Sequence, residues 1–197
     1  MNRLAASRSY VQKARAESAA ANGERILASV TELFRETGRE PTLEAVAERA
    51  GVTVQTVLRR FGSKQGLYDA VSEHVGGQIA AERGAAPVGD VEGAIDNLLD
   101  HYELWGDMAL RMLGAESESA ERRPASEGRS FHRGWVERVF APFLLDLTGA
   151  AREIRVDQLA AVTDVYVWKI LMKDLGRSRR RTKQTLVDLV RRLGGPR

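Results

Sequence analysis

The side chains spaced for chemistry in this 197-residue chain fall in one short stretch, TLEAVAERAGVTVQTVLRRF at residues 42–61, with Lys64 just beyond it. Gln55 carries a donor and an acceptor on one amide, the pair that matches an adenine edge. Thr56 is short enough to reach a phosphate or a thymine methyl. Arg59, Arg60 and Lys64 supply positive charge. Thr42 and Thr53 stand where helices would begin, so their hydroxyls and the free N–H groups beside them suit phosphate oxygens. This is the chemistry of reading a polyanion. No residues are arranged for catalysis: cysteine is absent, and His74, His101 and His132 lack the short spacing of metal ligands. No HExxH and no glycine-rich phosphate loop after a strand occurs. Neither an enzyme nor a metal or cofactor is expected.

These groups need elements to hold them. Ile26, Val30, Leu33 and Phe34 recur at helical spacing from Glu24 onward, and Thr37-Gly38 ends that helix. After Pro41, Thr42 can cap a short second helix whose apolar face is Leu43, Val46, Ala47 and Ala50. Gly51 breaks it. Thr53 caps a third, in which Val54, Val57, Leu58 and Phe61 take the apolar spacing. Ser63 then opens a fourth carrying Leu67, Tyr68 and Val71. Two short helices joined by a glycine turn form a helix-turn-helix, whose second helix fits the major groove. Gln55, Thr56, Leu58, Arg59 and Arg60 lie along that helix, with Val54 at its start.

The rest of the chain also reads as helix, and no strand alternation appears. A loop is expected at residues 84–89. Asp90 can cap a helix through Ile95, Leu98, Leu99, Tyr102 and Trp105, and another helical stretch holds Met108, Leu110, Met112 and Leu113. Residues 115–128 read as a connector containing Pro124. Phe131, Trp135, Val139, Phe143 and Leu147 resume the pattern, with Pro142 expected to bend it. A long helix is expected over about 156–175, an interruption at Gly176-Arg177-Ser178, and a last helix over about 180–193. The fold class is therefore all-α: an N-terminal three-helix helix-turn-helix domain and a C-terminal helical bundle. The boundaries are 1–22 for a basic arm, 23–71 for the first domain and 72–197 for the second.

No apolar run reaches the roughly 18–20 residues of a membrane helix. The best, residues 156–175, is interrupted by Asp157, Asp164, Lys169, Lys173 and Asp174. No secretion signal opens the chain, so a cytoplasmic protein is expected. The net charge of +3 conceals an uneven distribution. Residues 1–66 carry 11 Lys/Arg against 7 Asp/Glu, residues 67–176 carry 11 against 19, and residues 177–197 carry 8 against 1. A polyanion partner for one region follows from that pattern. Arg3, Arg8, Lys13 and Arg15 in the arm would track phosphates. The cluster Arg177, Arg179, Arg180, Arg181 and Lys183 has three readings, a solvated surface, the neutraliser of the acidic middle, or a site for DNA or another polyanion, of which the first two are favoured.

From Glu24 to about Val71 the chain resembles the DNA-binding domain of the TetR family of bacterial regulators. The features are ILASVTELFRETG, Thr42, VAERAGV, Thr56, Phe61, the Ser63-Lys64 pair and the Leu67/Tyr68 step. The resemblance implies that Thr42, Thr53, Arg60 and Lys64 touch phosphates, and that Gln55 and Thr56 open the recognition helix. Leu58 departs from it, standing where the family has a DNA-contacting Tyr. Glu44 departs too, at a usually basic or neutral position.

The resemblance further implies a homodimer on double-stranded DNA, reading a roughly palindromic operator, with repression as the family's commoner habit. The last two helices would pair across the two-fold axis, with Val162, Val165, Leu186, Leu189 and Val190 as contacts. It also implies a small-molecule effector pocket in the second domain. Tyr102, Trp105, Met108, Met112, Trp135 and Tyr166 are its candidate walls. Two alternatives stand beside this reading: a helical protein-interaction adaptor without DNA binding, and a regulator whose second domain only dimerises.

Overall fold

The computed structural model describes residues 3–115 and 123–194, and every regular element among them is helical. The chain forms two compact units, Met1–Gln78 and Ile79–Arg197. The boundary lies inside one helix, seven residues beyond the expected 71/72.

The first unit is built from α1 (Arg3–Thr37), α2 (Leu43–Ala50), α3 (Val54–Phe61) and the start of α4 (Lys64–Gly84). Its core is Ile26 and Val30 of α1, Val46, Ala47 and Ala50 of α2, Val57 of α3 and Leu67 of α4. These are the positions that helical periodicity marks. The start of α1 differs from the expectation: the helix runs back to Arg3 instead of beginning at Glu24. Its added turns are rich in Ala, Arg, Lys, Gln and Glu, which favour helix without any apolar face to bury. The side chains of residues 1–17 lie outside the described residues, and with them the arm's expected phosphate contacts.

The second unit takes the end of α4, then α5 (Val91–Ala115), α6 (Arg123–Val139), a 3-10 turn (Ala141–Phe143), α7 (Gly149–Val162), α8 (Val165–Lys169) and α9 (Arg179–Gly194). A π-helical turn over Ile170–Asp174 continues α8. Helix α5 packs on α8 and α9, and α7 on α6 and α9. Ile95, Leu98, Leu99, Val136, Phe140, Leu159 and Leu186 lie at the centre of this core.

Several boundaries depart from the expectation. Residues 91–115 form one helix. The expected connector over 115–128 is helical from Arg123, and Pro124 falls in the first turn, where its missing N–H removes no helical bond. Helix α6 ends at Val139 before Pro142 can bend it. The long helix expected over 156–175 is broken at Thr163-Asp164. The Thr163 hydroxyl donates to the Leu159 carbonyl at 2.7 Å. Asp164 is extended (φ −72°, ψ 154°) and its carboxylate accepts the Tyr166 N–H at 2.8 Å, starting a new helix.

Burial places the remaining candidates as follows. Val165, Leu186 and Val190, expected at a dimer interface, are buried in the core of the single chain. Val162 is half-buried, and Leu189 is 36% exposed. Tyr166, expected to line a pocket, is 49% exposed and points outward. Tyr102, Trp105 and Trp135 are buried, Met108 is half-buried, and the Met112 side chain lies outside the described residues. Arg179 and Lys183 do neutralise the acidic middle, pairing with Asp100, Glu103 and Asp96 of α5 at 2.6–2.7 Å. No helix among the described residues is long and apolar enough to cross a membrane.

Candidate nucleic-acid interface

The turn between α2 and α3 is fixed by Gly51, whose φ of 64° lies in the left-handed region that a side chain makes costly. Its N–H bonds back to the Glu48 carbonyl at 3.1 Å, and Val52 N–H bonds to Ala47 O at 2.9 Å. This closes α2 and sends the chain directly into α3. Both helices begin on a threonine. Thr42 Oγ1 accepts the Ala45 N–H, and Thr53 Oγ1 accepts the Thr56 N–H, each at 3.2 Å. Thr53 and Thr56 hydroxyls also share a hydrogen bond of 3.0 Å. A capping oxygen that accepts from the backbone keeps its own hydrogen available to donate outward.

Helix α3 has two distinct sides. Val57 is fully buried, and Val54 and Phe61 pack partly buried against the same core. Gln55, Leu58, Arg59 and Arg60 are exposed, with Thr56 half-buried. The structure therefore groups Gln55, Leu58 and Arg59 as an outward face and withdraws Val54 from it. The same i, i+3, i+7 spacing that identifies Val57 and Phe61 as inward residues includes Val54. Leu58, 36% exposed, adds an apolar spot to that face. Arg60 folds back toward α1, where a methyl placed on Gly23 would come within 3.2 Å of its Nε.

The α4 end of the interface is held by Tyr68. Its hydroxyl donates to the Pro41 carbonyl at 2.7 Å, fixing the residue just before the Thr42 cap. Burial pushes the phenol's pKa up, with Glu40 adding to the rise, so it stays a donor. Lys64 lies over the Tyr68 ring, 5.4 Å from its centroid, and its Nζ is 3.4 Å from Glu40 Oε2. Sequence reasoning missed Tyr68 as a positioning residue. Its only signal was the four-residue spacing from Lys64, which puts both on one helical face. Nearby, Arg49 is committed to α1. It pairs with Glu36 at 2.8 Å, a bond that raises the guanidinium pKa and lowers that of the carboxyl.

Gly66 allows α3 and α4 to meet, because a methyl at that position would drive into the Phe61 carbonyl oxygen. Ser63 Oγ accepts the Gly66 N–H at 3.0 Å and caps α4.

Comparison with known proteins agrees with this geometry. The family model described as "Bacterial regulatory proteins, tetR family" matches residues 26–71, from the core of α1 to the start of α4. An HTH-type transcriptional repressor of Mycobacterium tuberculosis, Rv3405c, is 31% identical over 190 residues, covering 86% of this chain and 97% of the relative. An HTH-type transcriptional regulator of Mycobacterium bovis, Mb3439c, matches to the same extent. No solved structure matches the chain.

Proposed function

Given that this chain belongs to the tetR family of bacterial regulatory proteins and is a DNA-binding transcriptional regulator, we propose that it acts as a homodimeric repressor on a near-palindromic operator and is released by a small molecule held in its second unit. The observation that carries the reading is the outward face of α3. Gln55, Leu58 and Arg59 share that face, and the Thr42 and Thr53 caps flank it. Gln55 and Arg59 offer hydrogen bonds to base edges, and Leu58 suits a thymine methyl. Thr42, Thr53, Thr56, Arg60 and Lys64 then hold phosphates and set the register.

One eight-residue helix reads few base pairs, so specificity calls for two copies related by a two-fold axis. The exposed apolar residues of the last helices, Tyr166 of α8, Ile170 of the π-helical turn and Leu189 of α9, are placed to meet a partner. Repression is supported by the M. tuberculosis relative, which is named a transcriptional repressor. Release would work through α4, whose residues 64–78 belong to the first unit and 79–84 to the second. A ligand that favours one placement of α4 would bias the reading helices. A bacterial operator as target implies a cytoplasmic protein.

Selection of bound duplexes from a random pool tests the reading. The expected product is an inverted repeat with half-sites about one helical turn apart. Enrichment of a single non-repeated site would remove the dimer, and no enrichment would remove sequence-specific reading.

A further inference from the structure

The second unit buries a charge that has no counter-charge among the described residues. Arg83, next to the last residue of α4, is 2% exposed. Its Nη2 donates to His132 Nδ1 at 3.1 Å, and its guanidinium carbon lies 3.8 Å from the centroid of the Trp135 ring. Its Nε and Nη1 have no partner. The adjacent carboxylate, Glu82, accepts from Trp105 Nε1 instead. The other charge close enough to act on Arg83 is the like-charged Arg138. His101 Nδ1 is also buried without a partner.

The two histidines cannot supply the missing negative charge, nor do they add positive charge. His132 Nδ1 accepts from Arg83, so its proton is on Nε2, facing Thr163 Oγ1 at 3.1 Å. Burial, with the positive charge of Arg83 adding to it, holds His132 at a pKa of about 4 and His101 at about 3. Both are neutral at physiological pH. A lone guanidinium therefore remains among aromatic and aliphatic side chains. Its desolvation costs far more than one contact with an indole face returns. Such a group is balanced only when an anion joins it.

We propose that Arg83, assisted by His101, is the anion-binding point of a site in the second unit for a small carboxylate carried on an apolar body. The proposal rests on the ligand-released reading above and adds the chemistry of the ligand. A monoanion matches the single uncompensated charge, whereas a phosphate dianion would leave excess negative charge in the same surroundings. The apolar body would pack against Trp135, whose ring lies on the guanidinium, and against Tyr102 of the same buried cluster.

The test uses the full chain with sodium benzoate, benzamide and inorganic phosphate at matched ionic strength. All three tryptophans lie in the second unit, so their fluorescence reports this unit alone. Benzoate is expected to give a saturable fluorescence change and a higher thermal midpoint. Benzamide is expected to bind about tenfold or more weakly, the loss of a charge-assisted hydrogen bond. Arg83→Met is expected to keep or raise the midpoint of the free protein while losing the benzoate response. The proposal is overturned by equal binding of benzoate and benzamide, by binding of phosphate alone, by no binding of any probe, or by a benzoate response that survives in Arg83→Met. The benzoate–benzamide comparison needs no variant, so it holds even where Arg83→Met does not fold. Anisotropy of a labelled operator in the same titration separates the two readings. Benzoate binding without DNA release keeps the anion site and removes ligand release, while intact DNA binding with no benzoate binding removes the anion site alone.

Discussion

Lys64, proposed above to hold a phosphate, carries a competitor for that role. Glu40 lies 3.4 Å from its ammonium, close to the Thr42 cap where a phosphate would sit. The pair is exposed on both sides, so its own stabilisation is small, yet its carboxylate opposes any phosphate that Lys64 holds. Glu40→Gln should therefore tighten operator binding at low salt by roughly fivefold or less, the equivalent of about 1 kcal/mol. Lys64→Ala should weaken binding evenly across sequences and lower the slope of log affinity against log salt by about one. A titration of both variants at three salt concentrations checks this, and an unchanged slope in Lys64→Ala would take Lys64 off the backbone. At this scale the outward placement of Gln55 and Arg59 was legible in the sequence, because both fall on the polar side of a 3.6-residue period, whereas Leu58, read with the apolar spacing, is exposed beside them. Val54, at the start of the same helix, falls on the apolar side of that period and is half-buried. Arg83 was not legible at all. Its sequence neighbours are Glu82 and a run of Ala and Gly that marks no apolar face, and the groups that bury it, His132 and Trp135, arrive from a distant helix.

The elements differ in how much change they tolerate, and glycine shows where. Gly66 is forced by the close passage of the Phe61 carbonyl, a backbone atom that cannot give way. Gly66→Ala should displace α4 from α3 and abolish operator binding, with circular dichroism still reporting a helical protein. Gly76 and Gly77, the pair just before the unit boundary in α4, are the opposite case. A methyl on either meets nothing within 4 Å, so Gly77→Ala should stabilise the helix by about 1 kcal/mol. A rise in thermal midpoint checks it, and a fall would mean that α4 bends at the pair. Helix existence was read correctly wherever an apolar face recurs, as in α2, α3 and α9. The long reach of α1 was not, since Ala-, Arg- and Lys-rich turns form helix without the periodicity that reveals one. The break before α8 depended on a single capping contact, Asp164 to the Tyr166 N–H. Asp is common enough inside helices that its position alone did not announce the break.

On the scale of the molecule, charge and burial divide the chain. The acidic middle and basic end meet as ion pairs between α5 and α9, with Arg179 among Asp96, Asp100 and Glu103. These groups are solvated, and the pairs are worth under about 1 kcal/mol each. The buried histidines respond differently. His101 and His132 both lie in the second unit, with pKa values held at about 3 and about 4 against an ordinary 6.5. A folded pKa below the unfolded one means the unfolded chain takes up protons first. The stabilisation is complete above about pH 6.5 and declines as pH falls from there toward 4. By pH 5, His132 alone should account for a loss of about 2 kcal/mol. At pH 5 ordinary carboxylates, with pKa values of roughly 4, are still mostly ionised, so the surface ion pairs largely persist there. Urea unfolding followed by tryptophan fluorescence should thus show a clearly lower midpoint at pH 5.0 than at pH 7.5. His132→Gln should start from a lower midpoint and lose less on acidification. Equal midpoints at the two pH values would mean that neither imidazole is buried neutral, and would also remove Arg83's standing as the one charge enclosed in that core.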